Sequence, residues 1–172
     1  MDNFVGETNA NYVHSTLRER IVEHVFVGEV LRRLWQLGVT DVEVLRSEFD
    51  AGGYDLVMSY HKVVRHIQLK KVSVDGKADS IKISLKLGEK PSGCVIWIVV
   101  TPELELQSYL WFGGSPGEQL SDISNMPVAK HTKGNAKGTK AERPNHRVLS
   151  RGKFDRLDTL DAVLARLFGP LS

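Results

Sequence analysis

The sequence predicts an α/β protein with a mixed central β-sheet flanked by helices, and three observations carry that expectation. An amphipathic segment spans about His14 to Leu37, and a second, shorter one spans Thr159 to Phe168. Between them, the continuous apolar run Cys94-Val-Ile-Trp-Ile-Val-Val100 reads as a central strand buried on both faces. The order is helix, strand, hairpin, buried strand, strand, helix, which is the alternation of a layered α/β domain.

In the first helix, Leu17, Ile21, Val25, Gly28, Leu31 and Trp35 recur at three- and four-residue steps and are expected on one face. Leu37-Gly38 supplies a glycine end. Val42 to Leu45 reads as a short strand, and Asp50-Ala-Gly-Gly53 has turn chemistry. Two strand-like runs follow, Tyr54 to Tyr60 and Val63 to Lys70, joined at His61-Lys62. Residues 71 to 93 are open between strand and short helix, because Ile81, Ile83, Leu85 and Leu87 alternate. Gln107 to Phe112 reads as another strand. Gly113 to Arg147 carries Gly, Pro, Asn and Lys without periodicity, so a long surface excursion is expected there. In the last helix Asp158 is the expected N-cap, and Leu160, Val163, Leu164, Leu167 and Phe168 form the apolar stripe.

The bulk properties exclude several classes. At 172 residues, with 41% hydrophobic and 26% charged residues, the chain is expected to be one globular domain and not a disordered one. Its core would span about residues 14–112, with a basic loop over 113–156. No apolar run approaches the roughly 18 residues of a membrane span. The opening MDNFVGETNANYVHSTLRER lacks the basic-then-apolar order of a signal peptide. Cys94 is the single cysteine, so neither an internal disulfide nor a Cys-rich zinc site is expected. A cytoplasmic setting is the corresponding expectation.

The chemistry concentrates on the hairpin. With His61-Lys62 as a two-residue loop, Tyr60 faces Val63 and Asp55 faces Gln68. Lys70 then lies two residues beyond Gln68 on the same face, while Leu56, Met58, Ile67 and Leu69 point to the core. A carboxylate and an amide oxygen are hard ligands suited to Mg²⁺. A neighbouring ammonium stabilises charge developing on a phosphoryl group. The bland readings are that Asp55 satisfies turn amides and that Lys70 belongs to a plain basic edge with Lys71.

Gly53-Tyr-Asp55, twelve residues, then Gln68-Leu-Lys70 resembles the core of the PD-(D/E)xK nuclease superfamily, over about residues 19–100. The resemblance implies a restriction endonuclease-like fold, phosphodiester hydrolysis and Mg²⁺ dependence, with Mn²⁺ as a substitute. It gives Asp55 the role of the motif aspartate, Gln68 the second acidic position and Lys70 the motif lysine. The helix glutamate of such proteins precedes a leucine-rich helix end, which points to Glu29 with Glu23 in reserve. This sequence departs from the pattern twice: Tyr54 stands where proline is usual, and Gln68 stands where a carboxylate is usual. Asp50 and Glu48 are further acidic groups near the turn, and His66 shares the face of Gln68.

The net charge of +2 hides an uneven distribution. From Lys130 to Arg156 there are nine basic residues against two acidic ones. Lys130, Lys133, Lys137, Lys140, Arg143, Arg147 and Arg151 are therefore the expected nucleic-acid contacts, gripping the backbone of DNA in the first instance. The alternative is a solvated loop. Cutting both strands of a duplex calls for two active sites, so a homodimer is a further expectation. Two other functions compete: an inactive module of the same fold that binds nucleic acid or a partner, and a small-molecule-binding protein with a deep apolar pocket.

Overall fold

The computed structural model describes residues 14–171. The polar lead-in expected over residues 1–12 lies outside the described residues. Helix α1 spans Ser15–Gln36 and ends as expected. Gly38 takes the left-handed conformation at φ 78°, and its amide donates to Trp35 O at 3.0 Å.

The buried face of α1 differs from the expected one. Val22, Phe26, Val27, Val30 and Leu34 face the sheet, whereas Leu17 (58%), Leu31 (38%) and Trp35 (73%) are exposed. Both faces carry apolar residues at helical spacing, so periodicity alone does not choose between them. Phe26, Val30 and Leu34 are fully buried, each contributing about 1.5–3 kcal/mol of transfer free energy.

Among the described residues nine strands follow: β1 Val42–Arg46, β2 Leu56–Tyr60, β3 Val63–Ser73, β4 Ser80–Ser84, β5 Gly93–Val100, β6 Leu106–Gly113, β7 Val128–Lys130, β8 Glu142–Ser150 and β9 Asp155–Leu157. A six-stranded mixed sheet has the order β1-β2-β3-β5-β6-β9, in which only β3 and β5 are parallel. The ambiguous stretch resolves into both candidates, strand β4 followed by a 3₁₀ turn over Leu85–Glu89. The expected excursion after Gly113 contains β7 and β8, which join β4 in a second sheet of order β4-β8-β7.

The buried strand β5 divides the core. Cys94, Ile96, Ile98 and Val100 face the helices, while Val95, Trp97 and Val99 face the second sheet with Ile83 and Leu149. The layers are thus helices, six-stranded sheet, three-stranded sheet. Helix α2 spans Leu160–Phe168 and buries Val163, Leu164, Leu167 and Phe168. Its N-cap is Thr159, whose hydroxyl accepts from Ala162 N–H at 3.1 Å. Asp158, the expected cap, pairs with Arg156 at 2.8 Å instead.

Arg65 of β3 is fully buried. It donates to Leu167 O (2.9 Å), Arg166 O (2.7 Å) and Gly114 O (2.8 Å), and lies 5.2 Å from the Trp111 ring centroid. A buried cation needs such partners, and the last carbonyls of a helix offer the negative end of its dipole. Among the described residues, no helix is long and apolar enough to cross a membrane.

Candidate active site

The hairpin has the register expected from a two-residue loop: Tyr60 pairs with Val63 and Leu56 with Ile67. His61 takes φ 52° to make the turn and is held 3.2 Å from Asp41. Asp55 stands one step beyond the last pair. Its amide donates to Ile67 O at 2.9 Å, and its Oδ2 accepts the Leu69 amide at 2.6 Å. The turn before it depends on Gly53, whose φ is 74° and whose absent Cβ would lie 2.8 Å from Ser84 Cβ.

A cleft of about 420 Å³ opens where β2 and β3 fork beneath the N-terminal half of α1. Asp55, Gln68 and Lys70 line it together with Asp50, Glu19 and Glu23. Burial raises the Asp55 carboxyl above the ordinary range; the Leu69 amide and Lys70 oppose the rise, while Glu23 and Asp50 add to it. Burial lowers the Lys70 ammonium, against the pull of Asp55, Asp50 and Glu19, and with a further push from Arg143. Each group of this pair therefore sits closer to neutrality than it would in water.

Gln68 is 8% exposed, and its Oε1 has no hydrogen-bond partner among the described residues. A buried amide oxygen left unpaired costs about 1–3 kcal/mol, so it invites a ligand. The helix carboxylate in the cleft is Glu23, not Glu29. Glu29 lies away from it, where its charge assists burial in pushing the Tyr109 phenol up to about 12. This correction follows from the reversed helix face: Glu23 shares the buried stripe with Phe26, Val27 and Val30. Glu23 accepts from Arg46 and, at 3.4 Å, from Arg20. Neither arginine was singled out from sequence, although a glutamate on a buried face requires a cationic partner.

The other candidates separate. Glu48 is exposed and does not line the cleft, whereas Asp50 does. His66 is engaged elsewhere, its Nδ1 2.7 Å from Pro91 O and its ring edge-on to Tyr54. Within the basic segment, Arg143 Nη2 lies 3.0 Å from His146 Nε2. The field of this pair reaches the cleft, since Lys70 and Asp50 both act on His146, whose pKa is lowered first by burial and then by Arg143. Arg147 is spent on carbonyls, donating to Ser124 O (3.1 Å) and Pro144 O (2.6 Å). Arg151 lies over Trp97, 5.6 Å from the ring centroid. Lys130, Lys133, Lys137 and Lys140 are exposed.

The donor set fits a hard divalent cation. Asp55 offers a carboxylate and Gln68 an unpaired amide oxygen. Mg²⁺ binds through one or two such groups while keeping waters or substrate phosphates. Among the described residues no group of three or more His, Cys, Asp or Glu side chains is arranged to hold a metal, in keeping with Glu23 being held by arginines. No protein-family model matches the chain, and no curated protein is similar to it.

Proposed function

We propose that the chain is a metal-dependent nuclease of the PD-(D/E)xK type, hydrolysing phosphodiester bonds of nucleic acid in the cleft beneath α1. The observation that carries this reading is the buried, unpartnered Oε1 of Gln68, in one cleft with Asp55 and Lys70. The order α1-β1-β2-β3, then a crossover to a parallel β5, supports the restriction endonuclease-like reading of the fold.

Asp55 and Gln68 would hold Mg²⁺ or Mn²⁺. When bound, the ion would polarise the phosphoryl oxygen and lower the pKa of a coordinated water. Lys70, in the same cleft, orients the attacking water and offsets charge that develops on the phosphate. Its lowered pKa makes the ammonium a readier proton donor than a solvated lysine. The Leu69 amide fixes one oxygen of Asp55 and so fixes the direction of the other. Severing both strands of a duplex would require two copies of the chain.

A second reading has its own support. Glu23 is held by Arg46 and Arg20, which leaves little free negative charge for a cation and favours an inactive binding module. The deciding experiment is cleavage of plasmid, linear and single-stranded DNA with Mg²⁺ or Mn²⁺, beside EDTA and Asp55→Ala and Lys70→Ala variants. Metal-dependent cutting that both substitutions abolish supports the nuclease. Absence of cutting on every substrate, with DNA binding that survives both substitutions, refutes it in favour of the module.

A further inference from the structure

Residues 130–142 form an arm that buries nothing. All thirteen are exposed, yet the arm is internally ordered. Lys130 pairs with Glu142, and His131 N–H donates to Ala141 O at 2.9 Å. The tip closes on Asn135: its amide donates to Thr139 O at 2.8 Å, and its Oδ1 accepts the Lys137 and Thr139 amides at 2.9 and 3.0 Å. Gly138 takes φ 76°. A Cβ on Gly134 would come within 2.9 Å of the Gly138 backbone, so the ribbon closes only with glycine there. Ordering each residue costs about 1–2 kcal/mol, and no buried apolar surface offsets it. The arm contributes nothing to the core and presents its side chains outward.

Its chemistry and shape identify the partner. Lys130, Lys133, Lys137 and Lys140 stand against the single Glu142, and in the tip, residues 134–139, Lys137 is flanked only by Gly, Ala, Asn and Thr. Two antiparallel segments of about six residues, tied by the His131–Ala141 and Asn135–Thr139 backbone bonds, make a slim looped arm that reaches at most roughly 20 Å beyond β7 and β8. The major groove of B-form DNA, about 12 Å wide, admits such an arm. The deep, narrow major groove of A-form RNA does not. At the base of the arm, Ala129 pairs with Arg143, whose charge acts on Lys70. Lys82 braces the same place by donating to Lys130 O. We infer that the arm enters the major groove of a B-form DNA duplex beside the cleft, its four lysines on the flanking phosphates. This deepens the nuclease reading by naming its substrate as double-stranded DNA.

The test is binding in EDTA, where no cleavage intervenes, by fluorescence anisotropy across a salt series. The probes are a 24-base-pair DNA duplex, the RNA duplex of the same sequence, and the DNA duplex with glucosylated hydroxymethylcytosine filling its major groove. Each phosphate contact adds about 0.9 to the slope of log K against log salt. Replacing all four lysines by alanine should make the slope shallower by about 3–4 and weaken binding on the order of a thousandfold at about 0.1 M salt. The RNA duplex and the filled duplex should bind the wild-type protein as weakly. Equal affinity for either of them, or an unchanged slope in the quadruple variant, overturns the inference. The nuclease reading fails separately: a lost slope with no cleavage of any substrate refutes that reading alone, and metal-dependent cleavage with an unchanged slope refutes the arm alone.

Discussion

If Asp55 and Gln68 share a cation, then Gln68→Glu should make the free protein less stable and more responsive to Mg²⁺. Asp55 lies one residue past the Leu56–Ile67 pair, where its amide turns to Ile67 O, and it lines the same cleft as Gln68; carboxylates on these two side chains would stand on the order of 5 Å apart. Two negative charges at that spacing repel by about 3 kcal/mol at an effective dielectric of about 20. The cleft is open to solvent on one side, and screening reduces the net cost to about 1.5 kcal/mol. For a chain of this size that is a fall in Tm of about 3–6 °C. Mg²⁺ reverses the sign, because the new carboxylate is a stronger ligand than the amide. A tenfold tightening adds about 1.4 kcal/mol of ligand-linked stability, or about 3–5 °C, beyond the wild-type response. Thermal unfolding with EDTA and with graded Mg²⁺ measures both effects. Adding Asp55→Asn removes the repulsion, so the double variant should regain the metal-free Tm while losing the Mg²⁺ response. An unchanged Tm in EDTA together with an unchanged Mg²⁺ response in Gln68→Glu would sink the idea that these two side chains address one ion.

Two further outcomes follow from the geometry. Gly53→Ala forces a left-handed Cβ to within 2.8 Å of Ser84 Cβ and should cost about 3 kcal/mol, lowering Tm by about 6–12 °C; Gly28→Ala, with nothing within 4 Å, should instead stabilise α1 by about 0.5–1 kcal/mol, and equal effects of the two in calorimetry would refute the steric account. Burial pushes the Cys94 thiol up from 9.0 to about 12, so the unfolded chain loses this proton first and the thiol's contribution to stability falls as pH rises from about 9 towards 12; an aromatic disulfide reagent at pH 8 should leave Cys94 untouched until denaturant is added, and rapid native labelling would contradict its burial.

The hairpin was legible in the sequence because its register is local. A two-residue connection leaves a single way to pair Tyr60 with Val63, and the alternation of Leu56 and Met58 with Val57 and Ser59 agrees with it. The buried strand β5 was equally legible, since eight consecutive buried positions leave no polar face. What was hidden is non-local. Helix α1 carries Val22, Phe26, Val30 and Leu34 on one side and Leu17, Leu31 and Trp35 on the other, and only the packed sheet selects between them. That choice also decided the helix carboxylate, bringing Glu23 to the cleft and leaving Glu29 off it. The second sheet was hidden too. β7 has three residues, β8 carries Pro144, and their partner β4 lies far back in the chain. The basic segment looked uniform in sequence, yet Arg147 and Arg151 are occupied by a loop and a ring, while the four lysines stay free for the arm.

Arg65 ties the history of the fold to its chemistry. The strand that carries Gln68 and Lys70 is anchored to carbonyls of Arg166 and Leu167, 101 and 102 residues away. Closing so long a loop is entropically slow and precedes any gain from the contacts it brings. A chain still leaving the ribosome would hold the hairpin without its anchor, with a guanidinium in search of acceptors. The strand that lines the cleft thus reaches its full anchorage only once the closing helix α2 has docked.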